Sequence, residues 1–181
     1  MPPERGYFQL QQAVEVAQAF AKHEVEFMFI GKSGAILLGY PSTTQDVDLF
    51  PRKDHINGER IVRALRELDF EITDDINEKI VRGIDFVQLK TGPFDLDLVF
   101  APDGIESYDA ASKRMIVIDG FPVANIRDII SSKKASGREK DLLDLPLLED
   151  FREEFEKKMR GEPKSAVQIA MDQTKVDIEP S

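Results

Sequence analysis

The chain has 181 residues, 41% of them hydrophobic and 32% charged, with a formal net charge of −10. That is enough for one domain with a real core, and the acidic balance works against a broad nucleic-acid-binding face while leaving open a substrate reached through a local basic patch and metal ions. With no cysteine and two histidines, disulfides and cysteine-ligated metals are excluded and a histidine-rich zinc centre is disfavoured, so any metal would be held by oxygen, as magnesium or manganese is.

The opening Met1-Pro2-Pro3-Glu4-Arg5 lacks the basic-then-apolar pattern of a signal peptide. No apolar run approaches the ~20 residues that cross a bilayer. The expectation is a soluble, cytoplasmic protein that does not meet the membrane.

Gln9 to His23 is predicted as an amphipathic helix, with Leu10, Ala13, Val14, Ala17, Phe20 and Ala21 inward. An apolar strand follows, Phe27-Met28-Phe29-Ile30, then a turn at Gly31-Lys32-Ser33-Gly34. A short helix from Ala35 to Leu38 ends at Gly39. Turn formers from Tyr40 to Thr44 lead into a second strand, Asp46 to Phe50, which Pro51 stops. Asn57 or Asp54 is placed to cap a helix through Asp69. Phe70 to Thr73 reads as a brief strand, and residues 74–83 as a loop with one helical turn.

From Ile84 the period becomes two, Thr91-Gly92-Pro93 turns the chain, and Phe94 to Phe100 returns as the partner strand of a hairpin. A short helix is expected near Ile105–Ser112. Met115 to Val123 is a second hairpin, because Asp119-Gly120 suits a type I′ turn. Asn125 is placed to cap a helix that Gly137 ends. A further helical region begins at Arg138, is broken or kinked at Pro146, and carries an apolar stripe of Leu142, Leu143, Leu145, Leu147, Leu148, Phe151, Phe155 and Met159. From Gly161 onward the periodicity is lost and a loose tail is expected. Three parts result: residues 1–124 as a core with an N-terminal helix, 125–160 as a helical segment packed on it, and 161–181 as the tail. Regular βαβ alternation is missing, so the expected class is α+β, a central mixed β-sheet flanked by helices with a helical C-terminal part.

Gly31-Lys32-Ser33 is not a P-loop. That motif needs a glycine five positions earlier, where this chain has Glu26 ahead of a plain strand. The free backbone N–H groups that open the next helix still favour an anion, and Ser33 is a candidate cap. Asp46 and Asp48, two apart on a strand, share a face, and so do Asp95 and Asp97. If the two strands are neighbours, three or four carboxylates converge. Two unit charges about 4 Å apart repel by ~4 kcal/mol at an effective dielectric near 20, so such a cluster calls for cations. The plainer reading puts the second pair at a solvated sheet edge. Basic groups come later, at Lys133, Lys134, Arg138 and Lys140, while Asp141 and Asp144 share a helix face at i, i+3. Alone, these are an ordinary helix surface. His23 and His55 read as surface residues without a named partner.

Three runs, Phe29-Ile30-Gly31-Lys32-Ser33-Gly34-Ala35, Gly39-Tyr40-Pro41 and Thr44-Gln45-Asp46-Val47-Asp48-Leu49-Phe50, resemble the signature of the nucleotidyltransferase superfamily related to DNA polymerase beta. Asp97-Leu98-Val99 is similar to its later carboxylate strand. Ile129-Ile130-Ser131-Ser132-Lys133 and Arg138-Glu139-Lys140-Asp141-Leu142-Leu143-Asp144 are similar to the closing lysine and Lys-Asp-x-x-Asp elements. Within the superfamily the likeness is to the small proteins akin to AbiEii-type toxins, over about residues 25–150. Two positions depart: Lys32 stands where glycine or serine is usual, and Ser42 where an arginine is common.

The resemblance implies a nucleotidyltransferase-like fold and transfer of a nucleotidyl group from an NTP to an acceptor hydroxyl that it leaves unidentified; a further option it opens is a toxin of a toxin–antitoxin pair, acting on tRNA or a protein, with a cognate antitoxin as partner. It implies Asp46, Asp48 and Asp97 as catalytic and metal-holding residues for Mg²⁺ or Mn²⁺, with Asp95 in reserve. Gly31, Lys32 and Ser33, with Lys133, Lys134, Lys140 and Asp141, are implied on the nucleotide side. The alternative is a catalytically silent member that binds nucleotide or a partner protein.

Overall fold

The computed structural model describes residues 6–161; the N-terminal residues 1–5 and the expected tail over 162–181 lie outside the described residues. The described chain runs α1 (Leu10–Lys22), β1 (Phe27–Ile30), α2 (Gly31–Leu37), β2 (Asp46–Pro51), α3 (His55–Glu67), α4 (Asp74–Arg82), β3 (Phe86–Leu89), β4 (Asp95–Val99), α5 (Tyr108–Arg114), β5 (Ile116–Ile118), β6 (Phe121–Val123), α6 (Ile126–Ser136) and α7 (Glu139–Met159). The strands form one mixed sheet in the order β3-β4-β2-β1-β6-β5. The class is therefore α+β, as the pattern of elements implied. No described helix is long and apolar enough to cross a membrane.

The centre of the sheet is what positions the site. β1 pairs antiparallel with β2, Ile30 opposite Asp48 and Phe29 opposite Leu49. β2 pairs in parallel with β4, Asp46 beside Asp95 and Asp48 beside Asp97. Since directly paired residues share a face, all four acids lie on the face of Ile30, and Phe29, Val47 and Leu49 fill the other. On that second face Phe20 of α1 meets Phe27 edge-on at 4.9 Å, and Phe27 meets Phe29 at 5.4 Å. β1 is apolar and buried on both sides, as a strand of a covered sheet is, while β2 and β4 interrupt one apolar face with the acids.

Local chemistry accounts for most boundaries. Asp54 caps α3 by accepting from the Asn57 N–H, and Asn125 caps α6 by accepting from the Arg127 N–H. Gly137, at φ +63, ends α6. In the β5–β6 hairpin Asp119 and Gly120 both have positive φ, 50° and 84°, as a type I′ turn requires.

Several expectations are corrected. α1 buries Ala13, Val16, Ala19 and Phe20 while Leu10 is 62% exposed, so its inward face is rotated from the predicted stripe. Phe70 to Thr73 is not a strand: Phe70 and Ile72 are buried, but the Phe70 N–H donates to Leu65 and Thr73 caps the next helix. Residues 74–82 are a full helix, α4, closed by Gly83 at φ +66. The helix expected near Ile105–Ser112 is Tyr108–Arg114, capped by Ser107. Pro146 does not divide α7, which runs 21 residues through it. Of the stripe predicted there, Leu148 and Phe155 are buried and Leu145 and Phe151 pack against the core, whereas Leu142, Leu143, Leu147 and Met159 are exposed. Asn57, the alternative cap, is instead buried, joining the backbones of Glu26 and Arg52. Both histidines have carboxylate partners, His23 with Glu67 and His55 with Glu59.

Candidate active site

Gly31, at φ +66, turns the chain from β1 directly into α2. Glycine is the residue that adopts this conformation without strain. The predicted turn at 31–34 is thus the first turn of the helix itself. A Cβ on Gly31 would collide with Asp48 Oδ2 and lie 3.1 Å from Asp48 Cγ. The missing side chain leaves the space that the Asp48 carboxylate fills.

Ser33 is fully buried. Its hydroxyl donates to the Ile30 carbonyl at 3.1 Å and accepts from the Asp48 N–H at 3.0 Å. It does not cap α2, whose first flanking residue is Ile30. Instead it ties the start of α2 to β2 beside the acid. Engaged in this way, its side chain is a brace for Asp48, and any contact from this turn to an anion falls to the backbone and to Lys32.

Register brings Asp48 and Asp97 together, and their carboxyls come within hydrogen-bonding reach. Asp97 is only 6% exposed, and its Oδ1 is buried without a hydrogen-bond partner. Desolvation, then the negative charge of Asp46, pushes the Asp97 carboxyl up to about 6. Desolvation also holds Asp48 well above the usual carboxylate range, reinforced by the charges of Asp97 and Asp46 and opposed by Lys133. Asp46 acts on both through space. Asp95 is half-buried beside Asp46. Among the described residues no three His, Cys, Asp or Glu side chains form a group arranged to hold a metal ion. The feature present is the Asp48–Asp97 pair with Asp46 in electrostatic range.

The helical end supplies the counter-charge. Lys133, on α6, pairs with Asp141 at 3.3 Å and reaches Asp144 at 3.9 Å. Lys32, on α2, pairs with Asp144 at 3.3 Å. Asp141 is 3% exposed and takes further hydrogen bonds from Ser136 and Arg138, both at 2.7 Å. Against the cost of burial, these donors and the Lys133 charge hold its carboxyl below the usual range. Asp141 is therefore a buried anchor between α6 and α7. Lys134 lies away from this group, paired with Glu149, and Lys140 is exposed. Of the predicted nucleotide-side residues, the fold gathers Gly31, Lys32, Ser33 and Lys133 around Asp48 and Asp144 and leaves Lys134 outside. Ser136 and the Asp144 link to both lysines were not read from the sequence; the i, i+3 spacing of Asp141 and Asp144 was the available signal.

No family model matches the chain, and no curated protein does either.

Proposed function

We propose that the chain is a metal-dependent nucleotidyltransferase of the DNA polymerase beta-like kind, acting on an NTP and an acceptor hydroxyl. The observation that carries this reading is the register of β2 and β4, which sets Asp48 directly beside Asp97 in two central parallel strands. Setting the buried Asp97 carboxylate beside the half-buried Asp48 is unfavourable for the fold, so a pair kept in this way points to a cation as its partner.

The residues fit a divalent ion held by oxygen. Asp97 Oδ1 is a buried acceptor without a donor, and the Asp48 carboxylate beside it is packed against Gly31 in the space a Cβ would take. Asp46, Asp48 and Asp97 would hold such ions, which would supply charge neutralisation at the attacking and leaving oxygens. Lys32 and Lys133 are the ammoniums that would hold the polyphosphate. Asp97 accepts the proton as the acceptor oxygen bonds to the α-phosphorus and the bond to pyrophosphate breaks.

A second reading is a silent member of the same fold that binds nucleotide or a partner protein. It is favoured by the Ser33 hydroxyl and the Lys32 ammonium both being engaged within the protein. Labelled NTP incubated with Mg²⁺ and a cell extract as acceptor source separates the two. Consumption abolished by Asp46→Ala and by Asp48→Ala supports transfer. Consumption unchanged in these variants sinks the assignment, and nucleotide binding without turnover supports the silent form.

A further inference from the structure

We infer that Asp144 is a resident anion in the polyphosphate subsite, which a substrate phosphate must displace from Lys32 and Lys133. The inference rests on the nucleotidyltransferase reading and deepens it. Lys32 follows the glycine that abuts Asp48, and Lys133 acts electrostatically on Asp48 itself. Asp144 spans both, at 3.3 Å and 3.9 Å. It also acts on the buried Tyr40, in the loop between α2 and β2.

Its neighbour Asp141 shows by contrast what a permanent anchor looks like. Asp141 is 3% exposed and held by a lysine, a serine and an arginine, the last two at 2.7 Å. The Asp144 side chain is 26% exposed; its Lys32 contact, 3.3 Å, equals that of Lys133 with Asp141, and its Lys133 contact is longer, 3.9 Å. One carboxylate shared between two ammoniums is replaced well by a ligand that engages both at once. Both ammoniums meet the same oxygen, Asp144 Oδ2, so Asp144 sets a threshold that any phosphate must overcome, and a polyphosphate, with more negative charge to offer, overcomes it more readily.

The test is calorimetry with inorganic tripolyphosphate and with orthophosphate, without metal, on wild type, Asp144→Asn and Asp144→Ser. Removing the competing charge is expected to tighten tripolyphosphate by roughly five-fold and to make orthophosphate binding measurable. The gain should vanish when Lys32→Gln is added, since the lysine is what Asp144 occupies. Thermal melts of both variants establish that they fold, and the serine variant serves if the asparagine one does not. Unchanged or weaker tripolyphosphate binding in the folded variants overturns the inference. If wild type nevertheless consumes NTP with Mg²⁺, this inference alone falls. If it neither consumes nor binds NTP, the transfer reading falls with it.

Discussion

The Asp48 carboxylate occupies the space where a side chain on Gly31 would stand. The first residue of α2 and the second acid of β2 are thereby fitted to one another. Gly31→Ala is expected to cost about 1–2 kcal/mol from the positive φ alone, and to push the Asp48 carboxylate aside. A urea melt should show a modest loss of stability while Mg²⁺-dependent nucleotide binding is lost. Retained binding at wild-type affinity would show that the fit has no bearing on the ligand.

Asp97 and Asp48 both have raised pKa values in the folded chain, Asp97 to about 6. A carboxyl that holds its proton more tightly folded than unfolded favours the folded state at low pH. That contribution is lost as pH rises from the unfolded value near 4 through about 6. Stability attributable to Asp97 should therefore fall across that window. Asp97→Asn removes the buried charge and is expected to stabilise the metal-free protein at pH 7 by ~1–2 kcal/mol, raising the melting temperature by a few degrees. At pH 4 the gain should largely disappear. Melts at both pH values check this, and a destabilised Asp97→Asn at pH 7 would contradict it.

Asp141 carries the join between α6 and α7. Asp141→Ala leaves Lys133, whose side chain is 11% exposed, without its nearest counter-ion and cuts the Ser136 and Arg138 bonds. A loss of about 3 kcal/mol is expected in chemical denaturation, in the range for breaking a buried ion pair from one side. Lys134→Ala, which removes an exposed pair with Glu149, should change stability by less than about 1 kcal/mol.

Ser33→Ala tests the brace on β2. It removes the acceptor of the half-buried Asp48 N–H and the donor to Ile30, and is expected to cost ~1–3 kcal/mol. The loss should be accompanied by weaker Mg²⁺ binding, because the Asp48 backbone is no longer tied to α2. Isothermal titration checks the second effect separately from the melt.

The central strands were legible in the sequence because both their faces are apolar except at the acids, and short apolar runs bounded by turn formers carry that signal. Period-two alternation gave the 84–100 hairpin for the same reason. The parallel contact of β2 with β4 was not legible. It joins segments some fifty residues apart, and nothing local specifies the neighbour. Alternation at Phe70 and Ile72 reported burial correctly, but Phe70 packs edge-on against Phe94 at 5.2 Å rather than within a ladder. α4 was missed because it is short and buries only Ile80, so its caps, Thr73 and Gly83, were the stronger signal. Pro146 removes one N–H from α7, and core contacts of Leu145 before it and Leu148 and Phe151 after it hold the helix continuous. In the site, residue types announced the acids, whereas the occupation of Ser33, Lys32 and Lys133 by internal partners depends on which helices meet.

The most direct measurement is the electron paramagnetic resonance signal of free Mn²⁺ as the protein is titrated into it with ATP present, for wild type, Asp48→Asn and Asp97→Asn. The account predicts that wild type depletes the free-ion signal beyond what ATP alone does and that both variants lose this depletion while remaining folded. Equal depletion by all three proteins, or none by wild type, would contradict the claim that these two acids are paired to hold a divalent ion.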